Sequence, residues 1–307
     1  MADILLTTLN ARYFHAAFGL RYLFANLGAL RSRARIVEFE INQRPVDIAE
    51  ALLDRNPKIL GVGVYIWNVA PALEVVATVK RVRPEVVVVL GGPEVSYELE
   101  SQPIAALADY IITGEADLEF ARLCAAILAG NRPPGRVIEA SPPEIASLVL
   151  PYELYSAEDI AHRIIYVEAS RGCPFHCEFC LSSLDIPVRQ AHLPAFLASL
   201  DGLLNRGARH LKFVDRTFNL NLGASRAILE FLLERYQPGL FFHFEMVPDR
   251  LPPELRDVIA RFPPGALQLE VGVQTFNPRA AALIQRRQNY ERLEENFRFL
   301  RQSTGVH

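Results

Sequence analysis

The sequence predicts an α/β protein built from two parallel sheets in tandem. Short apolar runs alternate with helical spacing from residue 4 to about residue 130. A proline-rich stretch interrupts them, and a second alternating series then runs onward to residue 302. Strands alternating with helices give right-handed βαβ units, and those give a parallel sheet.

In the first half, Ile4-Leu5-Leu6 opens a buried strand, and Ala16 to Leu27 follows with Leu20, Leu23, Phe24 and Leu27 at helical spacing. Arg35 to Phe39 reads as the second strand and Pro45 to Leu53 as a helix begun by proline. Ile59 to Ile66 is the third strand, and Ala72 to Val82 the third helix. Val86 to Leu90, four valines and a leucine, is the continuous apolar run of a strand buried on both faces. Tyr110-Ile111-Ile112 is a fifth strand, with Leu118 to Leu128 as the helix behind it. Residues 1–130 therefore form one doubly wound domain. Residues 131–160 carry Pro133, Pro134, Pro142, Pro143 and Pro151 and read as a stiff linker draped over a surface.

The second series has strands at Ile164 to Ala169, His210 to Asp215, Phe241 to Val247 and Leu267 to Gln274. Its helices are Ala195 to Asn205, Ala224 to Arg235, Pro253 to Arg261 and Tyr290 to Gln302. Thr304-Gly305-Val306-His307 falls where the next strand should begin. Residues 161–307 read as an unfinished parallel barrel, truncated at its carboxyl end.

Composition excludes several classes. At 307 residues, 50% hydrophobic and with a mean hydropathy of +0.14, the chain can bury a large core, so disorder is excluded. Its 32 basic and 35 acidic residues form no basic stripe, and nucleic acid is not indicated. Four cysteines are too few for a disulfide scaffold, which points to a reducing compartment. No apolar run approaches the roughly 20 residues that span a bilayer, and Met1-Ala2-Asp3-Ile4 lacks the basic flank of a signal peptide. A cytoplasmic protein without membrane contact is expected.

In open parallel sheets ligands sit outside the carboxyl ends of the strands. The turn Thr7 to Tyr13 has no glycine to admit a pyrophosphate, which disfavours a dinucleotide. Gly61 and Gly63 lie inside the third strand, where they let a helix approach. Gly91-Gly92-Pro93-Glu94 and Gly114-Glu115-Ala116-Asp117 leave bare backbone at two neighbouring strand ends. They suit either ordinary tight turns or a large flat ligand on the sheet edge.

The second half carries a denser signal. Cys173-Pro174-Phe175-His176-Cys177-Glu178-Phe179-Cys180 follows the strand Ile164 to Ala169 through Ser170-Arg171-Gly172. Three of the four cysteines thus fall within eight positions. Thiolates so spaced can take three corners of a cubane cluster, leaving one iron open as catalytic metal sites do. A zinc site using Cys177, Cys180 and His176 is the alternative. Cys124, among Leu123, Ala125 and Ala126, reads as a small buried hydrophobe.

The combination of Tyr65-Ile66-Trp67-Asn68, Gly91 to Val95 and Asp109 to Glu115 resembles the cobalamin-binding domain that precedes many radical-SAM enzymes. The spacing Cys-x-x-x-Cys-x-aromatic-Cys after the first strand of a parallel barrel is the signature of the radical-SAM superfamily, and that resemblance runs from about residue 160 onward. Together they imply an α/β fold class: a Rossmann-like (flavodoxin-like) cobalamin-binding domain followed by a partial parallel (β/α) radical-SAM barrel. Tyr65, Trp67, Gly91, Gly92, Pro93, Gly114 and Glu115 are the implied corrin contacts. The Asp-x-His-x-x-Gly loop that supplies histidine to cobalt is absent, since His15 is preceded at the second position by Tyr13 and its third following residue is Phe18. The resemblance therefore implies cobalamin without a histidine ligand.

It also implies that Cys173, Cys177 and Cys180 hold a [4Fe-4S] cluster whose open iron chelates S-adenosylmethionine, with an external one-electron reductant. One electron then cleaves a C–S bond and yields a 5′-deoxyadenosyl radical. Phe179 matches the aromatic position beside adenine, and Arg171 is a candidate to offset cluster charge. Polar residues at strand ends, Asp215, Glu245 and Gln274, are the implied S-adenosylmethionine contacts, with a salt-bridged rim as the alternative. Arg286 and Arg287 either clamp a carboxylate or lie in solvent. His162, His210 and His243 read as packing or surface residues. The implied activity is methylation of an unactivated carbon with methylcobalamin as donor, or another radical rearrangement, on a small-molecule or otherwise unassigned substrate. The alternatives are a radical-SAM enzyme that does not use cobalamin and a non-catalytic iron–sulfur electron-transfer module.

Overall fold

The computed structural model describes residues 2–184 and 187–307. It divides into two compact units. One runs to Glu144 and includes Leu148–Leu154; the other takes Ile145–Ser147 and Tyr155–His307.

The first unit holds a six-stranded parallel sheet. Its strands are β1 (Ile4–Asn10), β2 (Ala34–Glu40), β3 (Ile59–Gly63), β4 (Val87–Gly91), β5 (Tyr110–Thr113) and β6 (Val137–Glu139), in the order β2-β1-β3-β4-β5-β6. Helices α1 (Phe18–Ala25), α2 (Pro45–Leu53), α3 (Val69–Val82) and α4 (Glu119–Leu128) cover both faces. Alternation along β1 shows why. Leu5 and Leu9 join Ile48 of α2 and Val76 of α3 in one core, while Ile4 and Leu6 join Leu20 of α1 and Phe120 of α4 in the other. Every residue of β1 is buried, which accounts for its unbroken apolar start. A Cβ on Gly61 would stand 2.9 Å from the Phe120 ring, so that glycine admits α4. Gly63 instead faces Thr8 and Tyr65 and admits no helix.

The stretch expected to be a surface linker departs from that reading. Val137–Glu139 pairs with β5 as an edge strand, from Ile111 opposite Val137 to Thr113 opposite Glu139. Tyr110 donates its hydroxyl to Pro133 O at 3.0 Å, and Arg136 Nε donates to Ala108 O at 3.0 Å. Three residues on a half-covered edge are too few to print a period in the sequence.

The second unit holds an open parallel sheet of β7 (Ile165–Val167), β10 (His210–Phe213), β11 (Phe241–Met246) and β12 (Leu267–Val271), in chain order. Crossovers α6 (Leu193–Asn205), α7 (Leu222–Glu234) and α8 (Pro253–Ala260) join them, preceded by α5 (Ala157–His162) and followed by α9 (Pro278–Leu283) and α10 (Tyr290–Ser303). A two-stranded antiparallel ribbon, β8 (Ser170–Arg171) with β9 (Arg189–Gln190), stands just after β7. Leu211, Phe213, Phe242 and Phe244 are fully buried, and the intervening Lys212, His243 and Glu245 occupy the opposite face. Residues 305–307 run beside β12: His307 N donates to Leu267 O at 3.0 Å and Leu269 N to His307 O at 2.9 Å. Among the described residues, no helix is long and apolar enough to cross a membrane.

Candidate active site

The cysteine loop is held at its root. Ala191 N donates to Ala169 O at 2.8 Å, and the ribbon β8–β9 closes the base of the loop. Gly172 takes φ +98°, the left-handed turn into Cys173. Asp215, two residues beyond β10, fastens this root. Its carboxylate accepts from Ala169 N at 3.0 Å and from the Ser170 hydroxyl at 2.6 Å, and the residue is 1% exposed. Burial pushes its pKa up to about 7 against those hydrogen bonds.

Cys173 and Cys177 are buried, Cys180 is half-buried, and all three are free thiols. Cys180 N donates to Cys177 O at 3.0 Å, and Ser183 donates both its amide and its hydroxyl to Cys180 O. Burial pushes the Cys173 thiol up, and the neighbouring Cys180 and Cys177 push the same way. The three line one cavity with Phe175, Phe179, Arg216, Glu245, Glu270, Gln274 and Arg286. No three His, Cys, Asp or Glu side chains among the described residues converge on a single point, as a mononuclear zinc requires. A cubane asks for something else, one soft thiolate at each of three separate irons. Three clustered thiols and a buried guanidinium N–H on Arg286 that has no partner suit that larger anionic group. Cys124 is fully buried in α4, with its thiol pushed to about 12 by burial.

Of the residues assigned to S-adenosylmethionine, the structure brings Phe179, Glu245 and Gln274 to the cysteine cavity. Asp215 lies elsewhere. It lines an adjoining cavity with Ser170 and Pro174, its carboxylate engaged by the loop root, and Thr217 lines both cavities. Phe179 is 53% exposed. Glu245 faces Arg216 at 3.3 Å. Gln274 has φ +69° inside a tight turn closed by Thr275 N to Val273 O at 2.9 Å, a strained backbone of the kind found at functional sites. Glu270 meets His243 Nε2 at 3.0 Å and Lys212 Nζ at 3.6 Å, so His243 belongs to a polar cluster reaching the cavity wall rather than to packing alone.

Arg171 and Arg286 have different partners. The Arg171 guanidinium is turned onto Glu168, with Nη2 at 2.7 Å from Oε1. Arg286, which the sequence leaves between carboxylate clamp and solvent, donates from Nη1 to Cys177 Sγ at 3.7 Å and from Nη2 to Gly272 O at 2.7 Å.

In the first unit the strand order reverses between β1 and β3, which opens a crevice at their carboxyl ends. Asn68 is buried there, donating to Thr8 Oγ1 and Leu9 O at 3.0 Å and accepting from Tyr65 N at 2.8 Å. Trp67 stacks on Tyr65 at 4.6 Å and donates Nε1 to Leu9 O at 3.2 Å, while Ile66 and Trp67 keep an exposed apolar face. Gly92 has φ +109° and abuts Val64. Ser96, missed in the sequence, ties two loops together. Its hydroxyl donates to Gly92 O at 2.9 Å and accepts from Gly114 N at 3.1 Å. Pro93 is exposed on this edge and Glu115 half-buried beside it.

Comparison with known proteins agrees with both halves. Residues 4–124 match the B12 binding domain and residues 167–305 match the Radical SAM superfamily. An uncharacterised methyltransferase of Pyrococcus horikoshii, PH0819, is 28% identical over 219 residues, which cover 63% of this chain and 46% of that protein. Among solved structures, the radical S-adenosylmethionine methyltransferase TsrM from Kitasatospora setae, with cobalamin and a [4Fe-4S] cluster bound, superposes over 100% of this chain and 66% of its own, at a TM-score of 0.76 and 16% identity. The cobalamin-dependent S-adenosylmethionine radical enzyme OxsB, with aqua-cobalamin bound, superposes over 99% of this chain and 48% of its own, at a TM-score of 0.77 and 14% identity. This chain thus spans about half to two-thirds of the length of these proteins. The two matches together cover most of the residues and show that the chain carries a B12-binding domain followed by a Radical SAM domain.

Proposed function

We propose that this chain is the cofactor-binding part of a cobalamin-dependent radical SAM methyltransferase acting on an unactivated carbon. One observation carries the reading: three free thiols line a single cavity with an aromatic ring and the polar side chains Glu245, Gln274 and Arg286. The methyltransferases named among the relatives favour methyl transfer over rearrangement. When bound, the cluster supplies the electron that breaks a C–S bond of S-adenosylmethionine, and the corrin supplies a carrier for the methyl group.

The chain's own residues provide placement. Cys173, Cys177 and Cys180 would hold the cluster, with one iron left open to S-adenosylmethionine. Phe179 would stand beside adenine, and Glu245 and Gln274 would face the polar groups of the nucleoside and methionine ends. Asp215 acts one step back, holding the loop root through Ala169 and Ser170. In the first unit, Tyr65, Trp67, Gly91, Gly92, Pro93, Gly114 and Glu115 would form the edge that holds the corrin.

The test uses the full chain, reconstituted anaerobically with iron, sulfide and hydroxocobalamin and given S-adenosylmethionine and a low-potential one-electron reductant. Retained corrin absorbance together with consumption of S-adenosylmethionine supports the reading. Consumption without corrin retention would point to a radical SAM protein that does not use cobalamin. A cluster that leaves S-adenosylmethionine intact would reduce the chain to an iron–sulfur module.

A further inference from the structure

Helix α9 ends in a turn that is fastened to the cysteine loop. Gln285 takes φ +53° at the helix end, and Arg286 N returns to Ala281 O at 2.9 Å, a left-handed cap that turns the chain back. The turn then grips the loop at three points. Ile284 O accepts the Glu178 amide at 3.2 Å, the Gln285 side-chain amide donates to the Glu178 carboxylate, and Arg286 Nη1 reaches Cys177 Sγ at 3.7 Å. Arg286 is braced from the other side by Gly272 O at 2.7 Å, and the Phe175 ring lies 6.0 Å from its guanidinium carbon.

We infer that Arg286 sets the reduction potential of the cluster held by Cys173, Cys177 and Cys180, through an N–H···S bond and a fixed positive charge at Cys177. The inference rests on the cluster reading proposed above. One-electron reduction makes a thiolate-ligated cluster more negative. A cation and a hydrogen-bond donor at one of its sulfurs favour that reduced state and raise the potential. The electron comes from the external one-electron reductant, and no bond at Arg286 forms or breaks. The other arginines nearby are less suited. Arg171 is turned onto Glu168, and Arg216 lines the cavity but is half-exposed and faces Glu245 at 3.3 Å, so its charge is balanced and screened.

The test is an electron paramagnetic resonance titration of the reconstituted full chain against applied potential, without S-adenosylmethionine. Arg286→Gln is expected to keep about four irons per chain and to lower the reduced-to-oxidised ratio about tenfold at fixed potential, a shift of ~59 mV for one electron. Arg286→Lys, which keeps the charge, should shift less. Gln285→Ala, which cuts the strap and spares the guanidinium, should titrate as the wild type. A second measurement does not depend on Arg286→Gln: with ¹⁵N only in arginine, the reduced wild-type cluster should show a ¹⁵N hyperfine coupling, absent from Arg286→Lys. If Arg286→Gln takes up no cluster, that coupling decides. A wild-type cluster without the coupling, or an Arg286→Gln cluster at the wild-type potential, would overturn the inference and leave the cluster reading standing. A wild-type chain that binds no iron would remove both.

Discussion

Replacing Gly92 with alanine tests how the glycine turn after β4 is built. Gly92 sits at φ +109°, ψ 169°, and a Cβ there would stand 2.5 Å from Val64 O and 3.0 Å from Val64 N. Val64 is itself pinned, donating its amide to Gly91 O at 2.8 Å, so backbone meets backbone and no rotamer change relieves the clash. A side chain in this glycine-only region costs about 1–3 kcal/mol, and forcing an extra carbon into packed surroundings adds about 1–3 more, so Gly92→Ala should lose about 4 kcal/mol. Gly91 is the control. Its Cβ would meet nothing nearer than Ile112 O at 3.6 Å, so Gly91→Ala should stay within about 1 kcal/mol of wild type. The chain has one tryptophan, Trp67, stacked on Tyr65 at the end of β3, so its fluorescence reports the first unit alone. At a slope of about 2 kcal/mol per molar urea, the Gly92→Ala midpoint should fall by about 2 M. Midpoints for the two variants within about 0.5 M of each other would refute the argument that the glycines differ in role.

The remaining predictions concern the loop root and the cobalt. Asp215→Ala strands the Ala169 amide and the Ser170 hydroxyl, so thermal unfolding should show a loss of about 1–3 kcal/mol; unchanged stability with weakened S-adenosylmethionine binding would restore Asp215 as a direct contact. Asp215 keeps its proton in the folded state up to about pH 7, above its ordinary 3.8, with burial the main cause and Glu168 adding to it. Its contribution to stability is therefore fully present below about pH 4 and lost as pH rises to about 7. Measured against Asp215→Asn, wild-type stability should fall across that window, and a flat difference would contradict the raised pKa. Bound cob(II)alamin should show no histidine nitrogen coupled to cobalt, and His15→Ala should leave its spectrum unchanged. A nitrogen splitting lost in His15→Ala would show that the loop after β1 does supply the ligand.

Much of the fold was legible because buried parallel strands print continuous apolar runs. Pro45 to Leu53 emerges with the predicted bounds, and Val86 to Leu90 shifts by one residue to Val87–Gly91. Elements too short to show a period were lost, namely β6, the ribbon β8–β9 and α9. One of the missed helices did carry a signal. Ser156 to Asp159 is a capping box, with Asp159 N donating to Ser156 Oγ at 3.0 Å, and it announces α5. At the site, the cysteine spacing is local in sequence and could be read directly. The partners of Cys177 and Asp215 are set by pairings across 109 and 46 positions, between Arg286 and Cys177 and between Asp215 and Ala169. Alternation places Asp215 at a strand end but says nothing of which neighbour takes its carboxylate.

The central claim, a cluster on three particular thiols, is tested most directly by counting iron and labile sulfide in the anaerobically reconstituted chain and in four single variants. The account predicts about four of each per chain in the wild type and in Cys124→Ala, and loss of both in Cys173→Ala, Cys177→Ala and Cys180→Ala. A full cluster surviving any of those three changes, or one stoichiometric zinc in place of iron, would contradict it.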